Sequence, residues 1–135
     1  MNLNEDIFRE YDIRGIVNED FQEEVVINLG KAFGTYMKRK NSNIISVSGD
    51  IRESSIALKN SFIKGLLSTG INVIDIGIVP TPTNYYSMYL LNTDGAVQIT
   101  GSHNPSEFNG FKFSCKNESF YGNQIQKLKE LIINN

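Results

Sequence analysis

The chain has 135 residues, of which 40% are hydrophobic, and its formal net charge is −2. This length and composition suit one domain with a real core, which argues against a disordered protein, and the small negative charge gives no electrostatic basis for binding nucleic acid or an anionic membrane. The single cysteine, Cys115, excludes an internal disulfide and a cysteine-based zinc site, and the first residues lack the pattern of a signal peptide, so we expect a cytoplasmic protein.

The first half of the chain predicts helix, strand and helix. Apolar residues at four-residue spacing predict a helix from Glu19 to Lys40, and a β-branched run predicts a strand from Asn43 to Ser48. A second helix is predicted from residue 54 or 55 to Ser68, ended by a glycine at position 70 that suits a left-handed cap. The buried face predicted for this helix comprises Ile56, Phe62, Ile63, Leu66 and Leu67.

The second half continues the alternation of strands and helices. The predicted elements are a strand from Ile71 to Ile78, a helix from about Pro82 to Leu91, strands from Ala96 to Thr100 and from Phe111 to Ser114, and a helix from Gln124 to Ile133. Strands that alternate with helices indicate an α/β fold: a single-domain, three-layer α/β/α sandwich with a mixed, largely parallel sheet.

Ser102 is the first candidate site residue. It lies on a glycine-bearing turn directly after a predicted strand, and in such sheets ligands bind beyond the carboxyl ends of the strands. Its hydroxyl could act as a nucleophile or a phosphate carrier, or could only satisfy backbone groups in the turn. A serine hydrolase is poorly supported, because the flanking residues are not Gly-x-Ser-x-Gly and the neighbouring His103 should point away from Ser102. His103 could equally be a structural donor in the loop.

Lys112 is the second candidate. Alternation along a strand places Phe111 and Phe113 on one face and Lys112 on the other. Lys112 is then either a solvated side chain on an edge strand or a partner of the serine turn, acting on a proton or on phosphate charge.

Two further segments carry charges at predicted loop positions. In Phe8 to Gly15 (FREYDIRG), Arg14 suits either an ordinary ion pair or bidentate binding of phosphate. In the segment before the second helix, Asp50, Ser54 and Ser55 are candidate helix caps, and the helix N-terminus favours an anion. The single aspartate of that segment is a poor basis for a magnesium site.

Four segments, in this order, resemble the α-D-phosphohexomutase superfamily and, within it, the phosphomannomutase/phosphoglucomutase group. They are FREYDIRG (Phe8 to Gly15), SGDIRESS (Ser48 to Ser55), Val-Pro-Thr-Pro (Val79 to Pro82) and TGSHNPSEFNGFKF (Thr100 to Phe113). The resemblance spans nearly the whole chain. It implies an enzyme that moves a phosphoryl group between the 1- and 6-positions of a hexose phosphate through a phosphoserine and a bisphosphorylated sugar.

The resemblance also implies a role for each matched residue. Ser102 would be the phosphoserine, Lys112 would act in acid/base chemistry and charge stabilisation, and His103 would contact substrate or the phosphoserine. Arg14 would stabilise the phosphoserine region and bind substrate, and Tyr11 would line the substrate path. Mg²⁺ would touch this part of the protein only through the phosphate on Ser102, and a glucose or mannose bisphosphate would be the activator.

The family enzymes have four domains, and the resemblance covers only the first. The aspartate loop that binds the metal and the loop that reads the sugar belong to later domains. We therefore expect residues 1–135 to form the first domain, inactive alone, with a hexose phosphate and the remaining domains of the same polypeptide as its partners. The alternative is a free-standing, non-catalytic domain that binds a sugar phosphate or a protein.

Overall fold

The computed structural model describes residues 1–134, which form five strands, five α-helices and a short 3-10 helix at Glu5–Ile7. The strands are β1 (Ile13–Ile16), β2 (Ile44–Gly49), β3 (Asn72–Ile78), β4 (Gly95–Ile99) and β5 (Phe108–Cys115). The helices are α1 (Val17–Asp20), α2 (Glu23–Lys38), α3 (Glu53–Ser68), α4 (Thr81–Leu90) and α5 (Asn123–Ile133). Within this part of the chain no helix is both long and apolar enough to cross a membrane.

The strands form one mixed sheet in the order β1-β5-β4-β2-β3. β2 pairs in parallel with both β3 and β4, whereas β5 pairs antiparallel with β4 and with β1. The parallel strands are joined by helices, and the antiparallel pair β4–β5 is joined by the loop that carries Ser102. That loop therefore leaves the sheet at the carboxyl end of β4, where α/β sheets bind ligands.

The two faces of the sheet differ in chemistry, because side chains alternate along each strand. One face is apolar, and its residues belong to the core that α2, α3 and α5 cover; on the central strands these are Ile45, Val47, Val97, Ile99, Phe111 and Phe113. The opposite face carries buried polar groups such as Ser46 and Ser48, and α4 packs there through Ser87 and Asn84. Helices on both faces of a mixed sheet confirm the predicted α/β sandwich.

The helices α2 and α3 cross backbone to backbone. Gly30 and Gly65 meet at the crossing, where a Cβ added to Gly30 would lie 3.0 Å from the Cα of Gly65. Behind them, the rings of Phe33 and Phe62 pack on the phenylalanines of β5, with ring centroids 4.8 Å apart for Phe33 and Phe113. This aromatic contact anchors β5, the strand that carries Lys112.

Two predicted features are wrong in detail. The helix predicted from Glu19 to Lys40 is two helices, because the Asp20 carboxylate accepts a hydrogen bond from the N–H of Ile16 and the chain turns at Phe21 before α2 begins. Ile56 and Leu67 of α3 are exposed, since the close glycine contact turns other residues toward α2.

The strand β1 and the early start of β5 were not predicted, because the segment around Arg14 shows no apolar alternation.

Candidate functional site

The serine loop, residues 100–107, borders a cleft at the carboxyl end of β4. Two adjoining cavities, of about 750 and 460 Å³, share Thr81 and Lys112 in their walls. Ser102 and His103 line the larger cavity, and Tyr11 and Arg14 line the smaller one. The structure thus brings the five candidate residues, from three separate segments of the chain, around one continuous depression.

Ser102 has an unusual environment. Its backbone is left-handed, with φ of 55°, and its N–H donates to the Thr100 hydroxyl at 3.0 Å. Its Oγ is the only buried side-chain nitrogen or oxygen within residues 1–134 that has no hydrogen-bond partner. A left-handed serine and an unpaired buried hydroxyl each cost free energy, and such costs concentrate at functional sites.

Lys112 lies where the alternation of β5 predicts. Phe111 and Phe113 are buried in the core, and Lys112 is half-buried on the opposite face. Its neighbour across the sheet is Gln98 on β4, and the Gln98 side-chain amide donates to the carbonyl of Val79 at 2.7 Å. Gln98 therefore ties the Val-Pro-Thr-Pro segment to the floor of the cleft beside Lys112.

Arg14 and Tyr11 form the opposite side of the cleft. Arg14 lies on β1 and its Nη2 donates to the Asp12 carboxylate at 2.7 Å, an ion pair whose arginine side chain is 31% exposed. Tyr11 is 72% exposed and stacks on Tyr121, with ring centroids 5.8 Å apart. Both the guanidinium and the phenol ring are accessible to a molecule in the cleft. His103 is exposed at the edge of the serine loop.

Arg52 is a residue of the site that sequence reasoning missed. It follows β2, and its guanidinium reaches across to the serine loop. Nη1 donates to the carbonyls of Pro105 and Phe108 at 2.7 and 3.0 Å, and Nη2 donates to those of Ser102 and Asn104 at 3.2 and 2.6 Å. The topology held a signal for it, because β2 and β4 are parallel neighbours whose carboxyl ends meet.

Asp50 holds the other side of the loop junction. Its Oδ2 accepts the N–H of Gly101 at 3.1 Å, and its Oδ1 accepts the N–H of Arg52 and the Ser55 hydroxyl at 3.0 and 2.6 Å. Burial alone raises the pKa of this carboxyl, but these hydrogen bonds outweigh it, so the pKa of Asp50 lies below its ordinary value.

The predicted caps of α3 are not formed. The residue before the helix is Arg52, which makes no side-chain cap, while the Ser55 hydroxyl donates to Asp50. The hydroxyls of Ser54 and Ser55 both accept from the buried Asn109 amide, at 2.8 and 3.0 Å. These serines therefore tie the start of α3 to the start of β5, instead of binding the helix backbone.

The cleft presents four reactive or charged groups: the hydroxyl of Ser102, the amine of Lys112, the accessible guanidinium of Arg14 and the imidazole of His103. Cations placed around an oxygen nucleophile suit the transfer of an anionic group, because they neutralise charge in the transition state. Within residues 1–134 no group of three or more His, Cys, Asp or Glu side chains could hold a metal ion. The described residues therefore supply at most a few ligands to any cation in this cleft.

A second surface lies next to the cleft, on α4. Its outer side is aromatic and aliphatic, with Tyr85, Tyr86, Tyr89 and Leu90 each half or more exposed. The helix is covered only on the side that faces the sheet, where Asn84, Ser87 and Met88 are buried. A contiguous apolar surface of this kind usually marks an interface.

Comparisons with known proteins agree with these features. Residues 5–135 match the family model described as phosphoglucomutase/phosphomannomutase, alpha/beta/alpha domain I. The phosphomannomutase/phosphoglucomutase of Pseudomonas putida is 41% identical over 126 residues, which cover 93% of this chain and 27% of that protein. The phosphoglucomutase/phosphomannomutase of Thermococcus kodakarensis is 41% identical over 129 residues, or 94% of this chain and 27% of that protein.

Solved structures show the same relation. A phosphoglucomutase/phosphomannomutase family protein from Burkholderia thailandensis superposes with a TM-score of 0.92 at 33% identity, over 98% of this chain and 31% of that one. The chain thus spans between a quarter and a third of the length of each of these three proteins. By sequence and by structure, the chain belongs to the phosphoglucomutase/phosphomannomutase family and corresponds to its domain I.

Proposed function

We propose that the chain is the phosphoserine-bearing domain of a phosphomannomutase/phosphoglucomutase. The observation that carries the proposal is the Ser102 hydroxyl, which is buried, unpaired and held on a left-handed turn in a cleft shared with Lys112. The family membership supports the reaction, in which a phosphoryl group moves between the 1- and 6-positions of a hexose phosphate.

In the first step, phosphorylated Ser102 gives its phosphoryl group to a hexose monophosphate. The bond between Ser102 Oγ and phosphorus breaks and leaves its electron pair on Oγ, which takes up a proton; a bond forms from a sugar hydroxyl oxygen to phosphorus, and the hydroxyl proton passes to a base. Lys112 is the proposed proton acceptor or charge partner, since it shares the cavity wall with Ser102.

In the second step the bisphosphorylated sugar presents its other phosphate, and Ser102 recovers a phosphoryl group by the reverse chemistry. Arg14, accessible on the opposite wall, would bind a phosphate of the sugar, and Tyr11 would pack against its ring. His103 would contact the phosphoserine or the substrate from the edge of the loop.

In this proposal Mg²⁺ would contact the domain only through the phosphate on Ser102. The unpaired Oγ marks where the phosphate would be attached, and one of its oxygens would be one ligand of the ion. The described residues hold no group of three or more His, Cys, Asp or Glu side chains that could bind the ion by themselves. When bound, Mg²⁺ would neutralise charge on the transferring phosphoryl group, and a glucose or mannose bisphosphate would load Ser102.

The proposal includes the rest of the polypeptide. The relatives are more than three times as long as the match, and the exposed side of α4 is where we propose that the remaining domains pack. The cleft is open, and no group of three or more His, Cys, Asp or Glu side chains among residues 1–134 could hold a metal ion there, so we expect the chain alone to have no mutase activity.

The decisive experiment replaces the matching part of the Pseudomonas putida enzyme with this chain. The chimera should interconvert hexose 1- and 6-phosphates, and mass spectrometry should find the phosphoryl group on Ser102. Ser102→Ala should abolish both, and Ser119→Ala, an exposed serine outside the cleft, should change neither. A folded chimera with wild-type activity after Ser102→Ala would refute the proposal, and a folded, inactive chimera that still binds hexose phosphate would favour a non-catalytic binding domain.

A further inference from the structure

All three nitrogens of the Arg52 guanidinium are engaged by protein groups. An arginine side chain carries five N–H groups. Four of them donate to the carbonyls of Ser102, Asn104, Pro105 and Phe108, and Nε lies 3.4 Å from an Asp50 carboxylate oxygen as an ion pair. Both terminal nitrogens of Arg52 are therefore committed to backbone carbonyls, and its Nε is paired with Asp50. Arg14 differs, because only its Nη2 is engaged, by Asp12.

The loop is shaped around this guanidinium. All four carbonyls belong to residues 102–108, so the backbone curls to point its oxygens at one side chain. Gly101 passes so close that a Cβ there would lie 2.5 Å from Nη1 of Arg52. Asp50 fixes the same junction from the other side by accepting the N–H of Gly101. A side chain at position 101 would therefore collide with the guanidinium.

The left-handed backbone of Ser102 needs such support. A non-glycine residue at positive φ is strained and persists only where its surroundings fix it. The Ser102 carbonyl bonds to Arg52 and the Ser102 N–H bonds to Thr100, so both peptide groups of the strained residue are held. The direction of the Ser102 side chain follows from that backbone conformation.

We infer that Arg52 is a positioning residue, which orients Ser102 by binding the carbonyls of the serine loop and does not contact substrate. The inference rests on the proposed function only for the role of Ser102 as phosphoryl carrier. The planar fork of arginine is essential, because it addresses four carbonyls in fixed directions. The ammonium of lysine is a single point with three donors and cannot do so.

The test compares Arg52→Lys and Arg52→Gln with Arg39→Gln, which changes an exposed arginine at the end of α2. The first measurement, on the 135-residue chain, is hydrogen exchange at the loop amides of Gly101, Asn104 and Phe108, all of which are hydrogen-bonded. We expect both Arg52 variants to exchange there at least about tenfold faster, while the amides of α2 keep their protection. Arg39→Gln should match wild type at every amide.

The second measurement is phosphoryl uptake by Ser102 from glucose 1,6-bisphosphate in the chimera with the Pseudomonas putida enzyme. A positioning role predicts a maximal rate that falls at least about tenfold with KM for the bisphosphate unchanged, because both terminal nitrogens of Arg52 are bound to carbonyls of residues 102–108. A merely structural residue would lower the folded fraction and leave the rate per folded molecule unchanged.

The outcomes distinguish the positioning role of Arg52 from the proposed function of Ser102. Loop exchange that stays at the wild-type rate in both variants, or full recovery of exchange and rate by Arg52→Lys, would overturn the positioning role. A raised KM at an unchanged maximal rate would overturn it as well, by assigning Arg52 to substrate binding. If the wild-type chimera takes up no phosphate, the proposed function fails, and hydrogen exchange alone then decides whether Arg52 holds the loop.

Discussion

Gly101→Ala tests why a glycine precedes Ser102. The added Cβ would lie 2.5 Å from Nη1 of Arg52, closer than the 3.0 Å below which something must shift. The guanidinium cannot move by a small amount, because its four carbonyl partners surround it. Either Arg52 leaves the loop or the loop is displaced, and in both cases these hydrogen bonds are lost.

Solvent exposure of Arg52 limits how much stability Gly101→Ala removes. A hydrogen bond to a charged group contributes about 1.5–3 kcal/mol, but the Arg52 side chain is 18% exposed and the released groups can bind water, so the four contributions do not add in full. We expect a loss of about 2–3 kcal/mol from a total near 5–15 kcal/mol. The chain then still folds, with a Tm lowered by about 6–15 °C.

Urea denaturation followed by circular dichroism measures this loss, and Gly49→Ala is the matched control. A Cβ at Gly49 would meet the Cβ of Ser55 at 3.4 Å and the carbonyl of Ile99 at 3.6 Å, which is ordinary contact. We expect the control to stay within about 1 kcal/mol of wild type. A Gly101→Ala chain as stable as the control would refute the reasoning, because Arg52 would then not need the space beside Gly101.

Three further predictions concern stability. Ser102→Gly should raise the free energy of unfolding by about 1 kcal/mol in urea denaturation, because it removes an unpaired buried hydroxyl and relieves a left-handed non-glycine backbone; a loss of stability would contradict both causes. Gly65→Ala should lower the free energy of unfolding by about 3 kcal/mol in the same assay, because the added Cβ would meet the carbonyl of Ile27 and, at 2.8 Å, the backbone nitrogen of Lys31. A loss below about 1 kcal/mol would mean that α2 and α3 separate easily. The pKa of Asp50 is lowered in the folded state, so its ionised form stabilises the fold above pH 3.8, and this stability is lost as pH falls below that value. The Asp50→Asn variant should therefore lose less stability than wild type on acidification. Equal dependence of the free energy of unfolding on pH in the two proteins would disprove this.

The sequence predicted the parts of the fold that depend on periodicity. The apolar stripe of α2, the β-branched run of β2 and the glycine after α3 each act through nearby residues, so a pattern shows them; Gly70 has a φ of 89°, as its cap position requires. β1 is four residues long and pairs antiparallel with β5, and a strand held mainly by a distant partner leaves little local pattern.

The residues of the candidate site also differ in how far the sequence predicts them. The residues with reactive groups, such as Ser102 and Lys112, stand out in the sequence because their types and neighbours suggest chemistry. Arg52 does not stand out, because it acts through backbone carbonyls about 50 residues away, and carbonyls are the same whatever the residue. Only the parallel pairing of β2 with β4 shows that the two segments meet.

The alternation of β5 has a consequence for the fidelity of folding. Lys112 is flanked by two phenylalanines that pack in the core, so a slip of the strand by one residue would bury the ammonium among aromatic rings and expose Phe111 and Phe113 to water. Each phenylalanine contributes about 1.5–3 kcal/mol by burial, which eliminates the slipped state. Packing of the hydrophobic core therefore also fixes the orientation of Lys112. A molecule that folds stably has this lysine on the cleft side before any ligand binds.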